Sequence, residues 1–318
     1  MNNNNFIIVI AGPTATGKTE LSVKLAEQIN AEIISADSRQ IYRNFDIGTA
    51  KPSKELLNRI PHHFIDVADI TENFTAFDFR NKGLETIDDL FKKNKNAVIA
   101  GGSGLYIQSL ICNDMVNAYS DESVRNQLSE KIKKYGSVRL YEELKRVDPV
   151  YARKIHYNDR IRIIRALEVY NLTGKPFTET VKKTGFPYTA YCYCLYAKRE
   201  KMYENINNRI DRMVKENFIN EVEKLIGLGF KTIIKEKKII GYSEIIDYIE
   251  GKTNFKRAVD DFKKNTRHYA KRQMTWFKKD KMYKWFDVEK YSSAGELICE
   301  ILTDIYAQRM DRINKELI

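Results

Sequence analysis

The chain has 318 residues, of which 43% are hydrophobic and 31% charged, and its formal net charge is +11. This balance excludes a disordered tail, and the length suits one large folded core or two smaller ones. The apolar run from Phe6 to Ile10 is too short to cross a bilayer, and the four cysteines lack the spacing of a zinc site or a disulfide framework. We therefore expect a cytoplasmic globular protein whose first strand is buried.

Strand and helix patterns alternate through the first third of the chain. The hydrophobic periodicity predicts strands at 6–11, 31–36 and 96–100, with helices at 18–29 and 77–94. Alternation of this kind is typical of a parallel sheet with crossover helices. The start of the chain is therefore predicted to form an α/β core.

A glycine-rich loop, GPTATGKT at 12–19, separates the first predicted strand from the first predicted helix. In this setting the pattern G-x-x-x-x-G-K-T predicts a phosphate-binding loop. Its backbone N–H groups and Lys18 would bind phosphate oxygens, and the Thr19 hydroxyl would bind Mg²⁺. The predicted phosphate-binding residues are Gly12, Pro13, Thr14, Ala15, Thr16, Gly17, Lys18 and Thr19.

The second predicted strand leads into Asp37. Kinases and ATPases with a phosphate-binding loop place a magnesium-binding aspartate at such a strand end. The neighbours Ser38, Arg39 and Gln40 offer hydrogen-bonding groups that instead suit a second, polar substrate. The strand at 96–100 offers no alternative metal ligand, because it ends in Gly101-Gly102-Ser103-Gly104 without a carboxylate. The residues alone therefore leave both roles open for Asp37.

Polar helical stretches replace the strand patterns from about 114 to 187, and YTAYCYCLYA at 188–197 predicts a strand that returns to the sheet. We predict a P-loop NTPase-like α/β parallel-sheet core, formed by 1–113 and 188–318, with an all-helical domain inserted at 114–187. Basic helices are expected over 200–280 and an amphipathic helix at the C-terminus.

Segment 252–284 holds 12 Lys and Arg residues against three Asp, with aromatic residues between them. It favours a polyanion-binding face, although a solvated helix with an aromatic core face is the alternative.

Seven blocks in order resemble the bacterial tRNA dimethylallyltransferases, and the resemblance runs nearly end to end. The blocks are GPTATGKT, DSRQIYRNFDIGTAKP (37–52), HHFID (62–66), GGSGLY (101–106), NDRIRIIRALEVYNLTGKPFTE (158–179), IIGYSEIIDYIEG (239–251) and TRHYAKRQMTWF (266–277). The resemblance implies Mg²⁺-dependent transfer of a dimethylallyl group from dimethylallyl diphosphate to the exocyclic amine of an adenosine. That adenosine lies immediately 3′ of the anticodon in tRNAs that read codons beginning with U. The expected partner is the tRNA anticodon stem-loop, and we expect a monomer.

The resemblance also implies roles for individual residues. Asp37 corresponds to the base that accepts the amine proton, and Lys18 and Arg209 correspond to residues that contact the diphosphate. Ser103 stands where the family usually has Thr, whose hydroxyl contacts the bridging oxygen and the incoming base. The first Arg of the family's R-I-x-x-R step is replaced by Asn205, and Arg212 is a candidate substitute. Contacts with tRNA are implied for Asp37, Ser38, Arg39, Gln40, Ser103, Arg125, Ile161, Arg162, Ile163, Ile164, Arg165, Lys238, Gly241, Tyr242, Lys271, Arg272, Gln273 and Thr275.

Three rival functions use the same loop. A small-molecule kinase or ATPase predicts steady ATP turnover and a metal-binding Asp37. A non-catalytic RNA-binding module would use the loop to sense nucleotide. An adenylate isopentenyltransferase would prenylate free nucleotide, and it would leave the basic segment and the inserted domain without a task.

Overall fold

The computed structural model describes residues 5–112, 120–180 and 185–316. Within these residues six strands form one sheet in the order β3-β2-β4-β1-β5-β6, and every neighbouring pair is parallel. The strands are β1 (Ile7–Ala11), β2 (Ala31–Ser35), β3 (His62–His63), β4 (Asn96–Gly101), β5 (Ala190–Tyr196) and β6 (Lys284–Asp287). The sheet confirms the predicted α/β parallel core.

The described residues also contain fifteen α-helices. They are α1 (Lys18–Gln28), α2 (Lys54–Arg59), α3 (Ala76–Lys92), α4 (Gly104–Ile111), α5 (Glu122–Tyr135), α6 (Ser137–Val147), α7 (Pro149–Ala152), α8 (Arg160–Thr173), α9 (Phe177–Thr180), α10 (Arg199–Lys215), α11 (Phe218–Gly227), α12 (Lys231–Glu236), α13 (Tyr242–Ile249), α14 (Phe255–Phe277) and α15 (Ala294–Glu316). No helix in the described part of the chain is long and apolar enough to cross a membrane.

Strand β1 is central, and all five of its residues are buried. A continuous run of Ile and Val is typical of a parallel strand that is covered on both faces. On one face Ile8 and Ile10 pack in a cluster that includes Leu25 of α1 and Ile298 and Ile301 of α15. Because β1 lies between β4 and β5, the loop that follows it opens at the carboxyl edge of three neighbouring strands, where ligands bind in open α/β sheets.

The chain divides into two compact units, one of residues 112–186 and the other of 1–111 together with 187–318. We call these the helical unit and the core unit. The helical unit has its own hydrophobic core, which includes Leu128, Leu140, Leu144, Ile163 and Leu167. Its limits fall close to those of the predicted insertion at 114–187.

Two strands were not predicted. Strand β3 has only two residues, so it carries no periodicity to detect. Strand β6 begins at Lys284, just beyond the range 200–280 in which we expected basic helices, and helix α14 ends before it at Phe277. A four-residue strand at the edge of a sheet needs little sequence signal, since its pairing with β5 fixes it.

Candidate active site

The phosphate-binding loop connects β1 to α1 in a strained backbone conformation. Gly12 has φ +143° and lies so close to β5 that a Cβ atom would be 2.4 Å from the Leu195 carbonyl oxygen. Ala15 and Gly17 have φ of 66° and 79°, and Gly17 provides no side chain to cap α1. The first N–H groups of α1 therefore point toward the loop without a side-chain acceptor, which is the arrangement that binds anions.

Lys18 folds back over this loop. Its Nζ donates to the Pro13 carbonyl oxygen at 2.5 Å and lies 3.5 Å from Thr16 Oγ1. Burial lowers the pKa of Lys18 to about 8; the nearby Arg209 lowers it as well, while Cys194 and Asp37 oppose the change. Lys18 forms no ion pair with any described residue, so its charge has no bonded carboxylate partner among them.

Arg209 of α10 brings a second partly buried cation to the same place. Burial lowers its pKa, Asp37 opposes that change, and Arg212 adds to it. The Nε atom of Arg209 is buried and has no hydrogen-bond partner among the described residues. Two partly buried cations without bonded carboxylates create a positive potential that a multiply charged anion would satisfy.

Asn205 lies one turn before Arg209 on α10. Its Nδ2 donates to the Ala15 carbonyl oxygen at 3.2 Å. The resemblance left the task of this position open, and the structure gives it one: Asn205 holds the peptide that leaves the left-handed Ala15. Arg212 lines the same cavity as Arg209.

Asp37 follows β2 in a tight turn, with Oδ1 accepting from the backbone N–H of Arg39 at 2.8 Å and of Gln40 at 3.4 Å. Ser103 Oγ accepts from the Ser38 N–H at 2.9 Å, which joins this turn to the one after β4. Asp37 forms no ion pair with a described residue. Its carboxylate is thus fixed by the backbone rather than neutralised.

Gln273 of α14 joins the two glycine-rich turns. Its Nε2 donates to the Gly102 carbonyl oxygen at 2.9 Å, and its Oε1 accepts from the Thr14 N–H at 2.9 Å. Gln273 is buried, and a Cβ on Gly102 would lie 2.2 Å from its amide nitrogen. The implied tRNA contact at Gln273 stays a prediction; the two bonds to the protein leave one amide N–H and one lone pair for it, and Gln273 lines the phosphate-loop cavity.

Two cavities adjoin in the core unit, with volumes of about 810 Å³ and about 650 Å³. We call them the phosphate cavity and the second cavity. The phosphate cavity contains the loop, Lys18 and Thr19, and the second contains Arg39, Lys238 and Arg272. The residues that line both are Thr14, Asp37, Thr49, Arg209 and Tyr269. Asp37 and Arg209 consequently lie where a group bound in one cavity would meet a group bound in the other.

Sequence reasoning missed Tyr269 as a member of this junction. Burial, together with the nearby Asp37, raises its pKa to about 12, while Arg39 and a hydrogen bond to Ser103 oppose the change. Tyr269 lies four residues before Gln273 in α14, so the two side chains share one face of the helix. That spacing was the available signal, and the interpretation of the aromatic residues as core packing concealed it.

The implied tRNA residues of the core unit lie partly in the second cavity and partly on the exposed surface of α14. Ser38, Arg39, Lys238 and Arg272 line the second cavity, and Lys271 and Thr275 are exposed on α14. Gly241 has φ +89° and faces the Phe262 ring.

One implied contact in the core unit, at Tyr242, needs correction, and a second, at Gln40, stays a prediction. Tyr242 is fully buried, and its hydroxyl donates to Glu221, so it cannot touch RNA directly. Gln40 uses Nε2 to donate to the Thr49 and Ala50 carbonyl oxygens, and its Oε1 accepts from Ser35. A base edge would have to compete with these bonds for the Gln40 amide.

Two implied residues of the helical unit, Arg125 and Arg165, bind one buried carboxylate. Glu168 is completely buried and binds Arg125 Nε at 2.9 Å and Arg165 Nη1 at 2.7 Å. Arg162 pairs with Asp159 at 3.2 Å, and Ile161 is 82% exposed.

Ile163 and Ile164 lie on the inner side of the helical unit. Ile163 is completely buried in its core, which rules out direct RNA contact by that side chain and corrects the implied role. Ile164 is partly buried against the same core.

The residues fit a magnesium ion that is shared with a phosphate ligand. The described part of the chain contains no group of three or more His, Cys, Asp or Glu side chains that could hold a metal. Thr19 lies in the first turn of α1, is exposed, and lines the phosphate cavity. Mg²⁺ is commonly held by one or two protein oxygens together with substrate phosphates and water, which is what Thr19 allows.

Comparison with known proteins agrees with this geometry. The family model described as IPP transferase matches residues 40–280. A relative named tRNA dimethylallyltransferase 2, from Geotalea uraniireducens, is 42% identical over 95% of this chain and 97% of its own length. The tRNA dimethylallyltransferase of Caldanaerobacter subterraneus subsp. tengcongensis is 44% identical over 92% of this chain and 94% of its own.

Solved structures extend the similarity to the fold. The full-length tRNA isopentenylpyrophosphate transferase of Bacillus halodurans superposes with a TM-score of 0.72 at 35% identity, covering 99% of this chain and 100% of that one. A eukaryotic dimethylallyltransferase described as acting on tRNA superposes with a TM-score of 0.73 at 28% identity, covering 90% of this chain and 74% of that one. The chain belongs to the IPP transferase family.

Proposed function

We propose that this protein is a tRNA dimethylallyltransferase. It transfers the dimethylallyl group of dimethylallyl diphosphate to the exocyclic amine of the adenosine immediately 3′ of the anticodon, in tRNAs that read codons beginning with U. The observation that carries the proposal is the junction of two cavities at Asp37 and Arg209, next to two cationic side chains, Lys18 and Arg209, that form no ion pair with a described residue. The family, its relatives' names and the basic segment 252–284 support the same substrates.

The phosphate cavity binds the leaving group. Backbone N–H groups of the loop, Lys18 and Arg209 would contact the diphosphate oxygens. Negative charge grows on these oxygens as the bond between C1 of the dimethylallyl group and the bridging oxygen breaks. Preorganised donors of this kind contribute roughly 3–4 kcal/mol each to stabilising a transition state. A bound Mg²⁺, held by Thr19 and the phosphates, would supply further neutralisation of that charge.

The second cavity admits the acceptor. The adenine amine attacks C1, the electron pair of the C1–O bond leaves with diphosphate, and the amine proton passes to Asp37. Since Asp37 Oδ1 is held by the N–H groups of Arg39 and Gln40, the carboxylate is oriented before the base arrives. The Ser103 hydroxyl, held by the Ser38 N–H, lies beside this carboxylate turn and can donate its hydrogen to the bridging oxygen.

The target base must leave its stack to reach Asp37, as bases do in other enzymes that modify them. Arg39, Lys238 and Arg272 in the second cavity suit the phosphates that flank an extruded nucleotide. Arg125, Arg162 and Arg165 of the helical unit are proposed to contact the anticodon stem-loop, with the exposed Ile161 beside them. We further propose that the enzyme acts as a monomer in the cytoplasm, on tRNA that is already folded.

One assay separates this function from its rivals. The purified protein is given dimethylallyl diphosphate and Mg²⁺ with an anticodon stem-loop or with AMP, and a third reaction contains ATP alone. Mass spectrometry detects the prenylated product, and the diphosphate or phosphate released into solution is measured in parallel. The proposal expects a five-carbon addition to the stem-loop and little product on AMP. The matched control is the same stem-loop with guanosine in place of the target adenosine.

Other results would select a different function. Steady ATP hydrolysis without a prenylated RNA would favour a kinase or ATPase, and modified AMP would favour an adenylate isopentenyltransferase. RNA binding without product would favour a binding module. RNA affinity should also fall steeply with salt, because phosphate contacts release counterions.

A further inference from the structure

Segment 46–50 forms part of the wall at which the two cavities meet. Thr49 lines both cavities, Ala50 lines the phosphate cavity, and Gly48 lines the second. The segment belongs to no helix or strand, and Ala50 has φ +54°. An irregular segment at such a junction must be held in place by contacts from elsewhere in the fold.

Glu221 supplies these contacts from α11. Its Oε2 accepts from the N–H groups of Asp46 at 3.2 Å and Ile47 at 2.8 Å, and its Oε1 accepts from the Gly48 N–H at 3.2 Å. Three consecutive backbone N–H groups thus converge on one carboxylate. Such a charge-assisted arrangement is about twice as strong per bond as a neutral one and defines the path of the segment.

Tyr242 completes the attachment. Its hydroxyl donates to Glu221 Oε1 at 2.5 Å, and burial together with Glu221 raises the pKa of this hydroxyl well above its ordinary value, so that it stays a donor. The Tyr242 ring packs against Phe45 and Phe218 at centroid distances of 4.9 and 5.0 Å. A Cβ on Gly48 would lie 2.4 Å from Phe218 and 2.5 Å from Tyr242, so the segment is pressed directly onto these rings.

We propose that Glu221 is a positioning residue for prenyl transfer, which fixes segment 46–50 as the wall that keeps water from the allylic diphosphate. The proposal rests on the proposed function. Glu221 lines neither cavity, so it acts through the segment and not on a substrate. Closed walls of this kind exclude side reactions of reactive intermediates.

The chemical consequence of opening the wall is hydrolysis. Water would attack C1 in place of the adenine amine, the C1–O bond would break, and the products would be dimethylallyl alcohol, diphosphate and a proton. Diphosphate release would then exceed prenylated RNA. With segment 46–50 held in place, we expect the two products to form in a ratio of one to one.

The test compares Glu221→Gln with wild type. Glutamine keeps the size of the side chain but replaces one accepting oxygen by an N–H₂ donor that faces backbone N–H groups. The matched control is Glu223→Gln, since Glu223 is exposed on the same helix two residues away. Each protein receives dimethylallyl diphosphate and the stem-loop, and prenylated RNA, dimethylallyl alcohol and diphosphate are measured together, with stem-loop affinity measured separately.

We expect Glu221→Gln to slow prenyl transfer by about ten- to a hundredfold, as a small misplacement of a reacting group does. Its ratio of diphosphate to prenylated RNA should rise above one, dimethylallyl alcohol should appear, and stem-loop affinity should stay within twofold. Glu223→Gln should match wild type in every measurement. If Glu221→Gln does not fold, as judged by its circular dichroism, Tyr242→Phe decides, because it removes one bond to Glu221 and keeps the buried ring.

Two results would overturn the inference: unchanged transfer in the deciding variant, or slowed transfer with the product ratio still one to one and no alcohol formed. A wild-type protein that makes no prenylated RNA would instead contradict the proposed function, so the two failures are distinguishable.

Discussion

The core unit and the helical unit both place cationic groups near a carboxylate, but they treat the charges in opposite ways. In the helical unit, Arg125 and Arg165 bind the buried Glu168 at 2.9 and 2.7 Å. In the core unit, Lys18 and Arg209 form no ion pair with a described residue, and the pKa of each is lowered by burial although Asp37 lies near enough to oppose it. Compensated charges hold a fold together, whereas uncompensated ones mark a place where a ligand completes the structure.

This contrast predicts that the two carboxylates have separable roles. Asp37→Asn should slow prenyl transfer by about 10²- to 10⁴-fold, the range for loss of a general base, because the amide cannot accept the amine proton. Melting temperature and stem-loop affinity should change little, since asparagine can still accept from the Arg39 N–H. Single-turnover kinetics measure the effect, with the exposed Asp89→Asn as control. Unchanged turnover would remove Asp37 from the mechanism.

Glu168→Ala should give the reverse pattern. Removing Glu168 leaves two partly exposed arginines and the Asp121 N–H without their acceptor, so we expect a loss of about 1–3 kcal/mol. Chemical denaturation should show this loss, whereas Glu130→Ala, which breaks an exposed pair with Lys133 in the same unit, should cost at most about 1 kcal/mol. Equal losses in the two variants would mean that Glu168 is no more structural than a surface charge.

Lys18 provides the complementary test in the core unit. Lys18→Met keeps most of the side-chain volume and removes the buried charge. The KM for dimethylallyl diphosphate should rise by about ten- to a hundredfold, the value of a hydrogen bond to a charged group. The melting temperature should rise at the same time, because a desolvated and unpaired ammonium is lost. A fall in melting temperature would show that the hydrogen bond from Lys18 to the Pro13 carbonyl oxygen stabilises the protein more than the desolvated charge destabilises it.

How much of this could be read from the sequence depends on the range of the contacts. The loop at 12–19, Asp37 and Ser103 lie in short motifs at strand ends, and their placement follows from a parallel sheet. The strands β1, β2, β4 and β5 were likewise visible because each is a run of buried apolar residues. For these elements, short motifs and apolar runs in the sequence were sufficient for the prediction.

What the sequence did not predict arises from contacts between distant segments. Gln273 joins two turns that lie 259 and 171 residues away along the chain. Glu221 holds a segment 173 to 175 residues before it. Tyr242 and Ile163 fall within blocks shared with the family, so the resemblance included them in the RNA surface, but a block contains core residues as well as surface ones. Burial depends on tertiary packing, which spacing along one helix does not reveal.

The pH dependence of substrate binding follows from the lowered pKa of Lys18, about 8. Below pH 8 the ammonium is charged and attracts diphosphate; above it the charge is lost, so the KM for dimethylallyl diphosphate should rise by up to about tenfold per pH unit. Substrate binding therefore weakens as the pH rises, whereas the stability of the folded protein should increase between pH 8 and the ordinary lysine pKa. In that interval the unfolded chain binds more protons, so Lys18 makes stability rise with pH. A pH profile of KM for wild type and Lys18→Arg measures this, and arginine should flatten it. The same slope in both proteins would assign the titration to another group.

Asn205→Ala should have the smallest effect. It removes the bond to the Ala15 carbonyl oxygen and no charge, so the KM for dimethylallyl diphosphate should rise by about two- to fivefold, the value of one neutral hydrogen bond. Asn208, which lines the same cavity one turn from Asn205, provides the matched control as Asn208→Ala. A charged group that bound diphosphate directly would show a much larger and salt-dependent change. The size of the Asn205 effect therefore shows whether this position shapes the loop, as its neutral side chain predicts, while the buried Lys18 and Arg209 provide the charge.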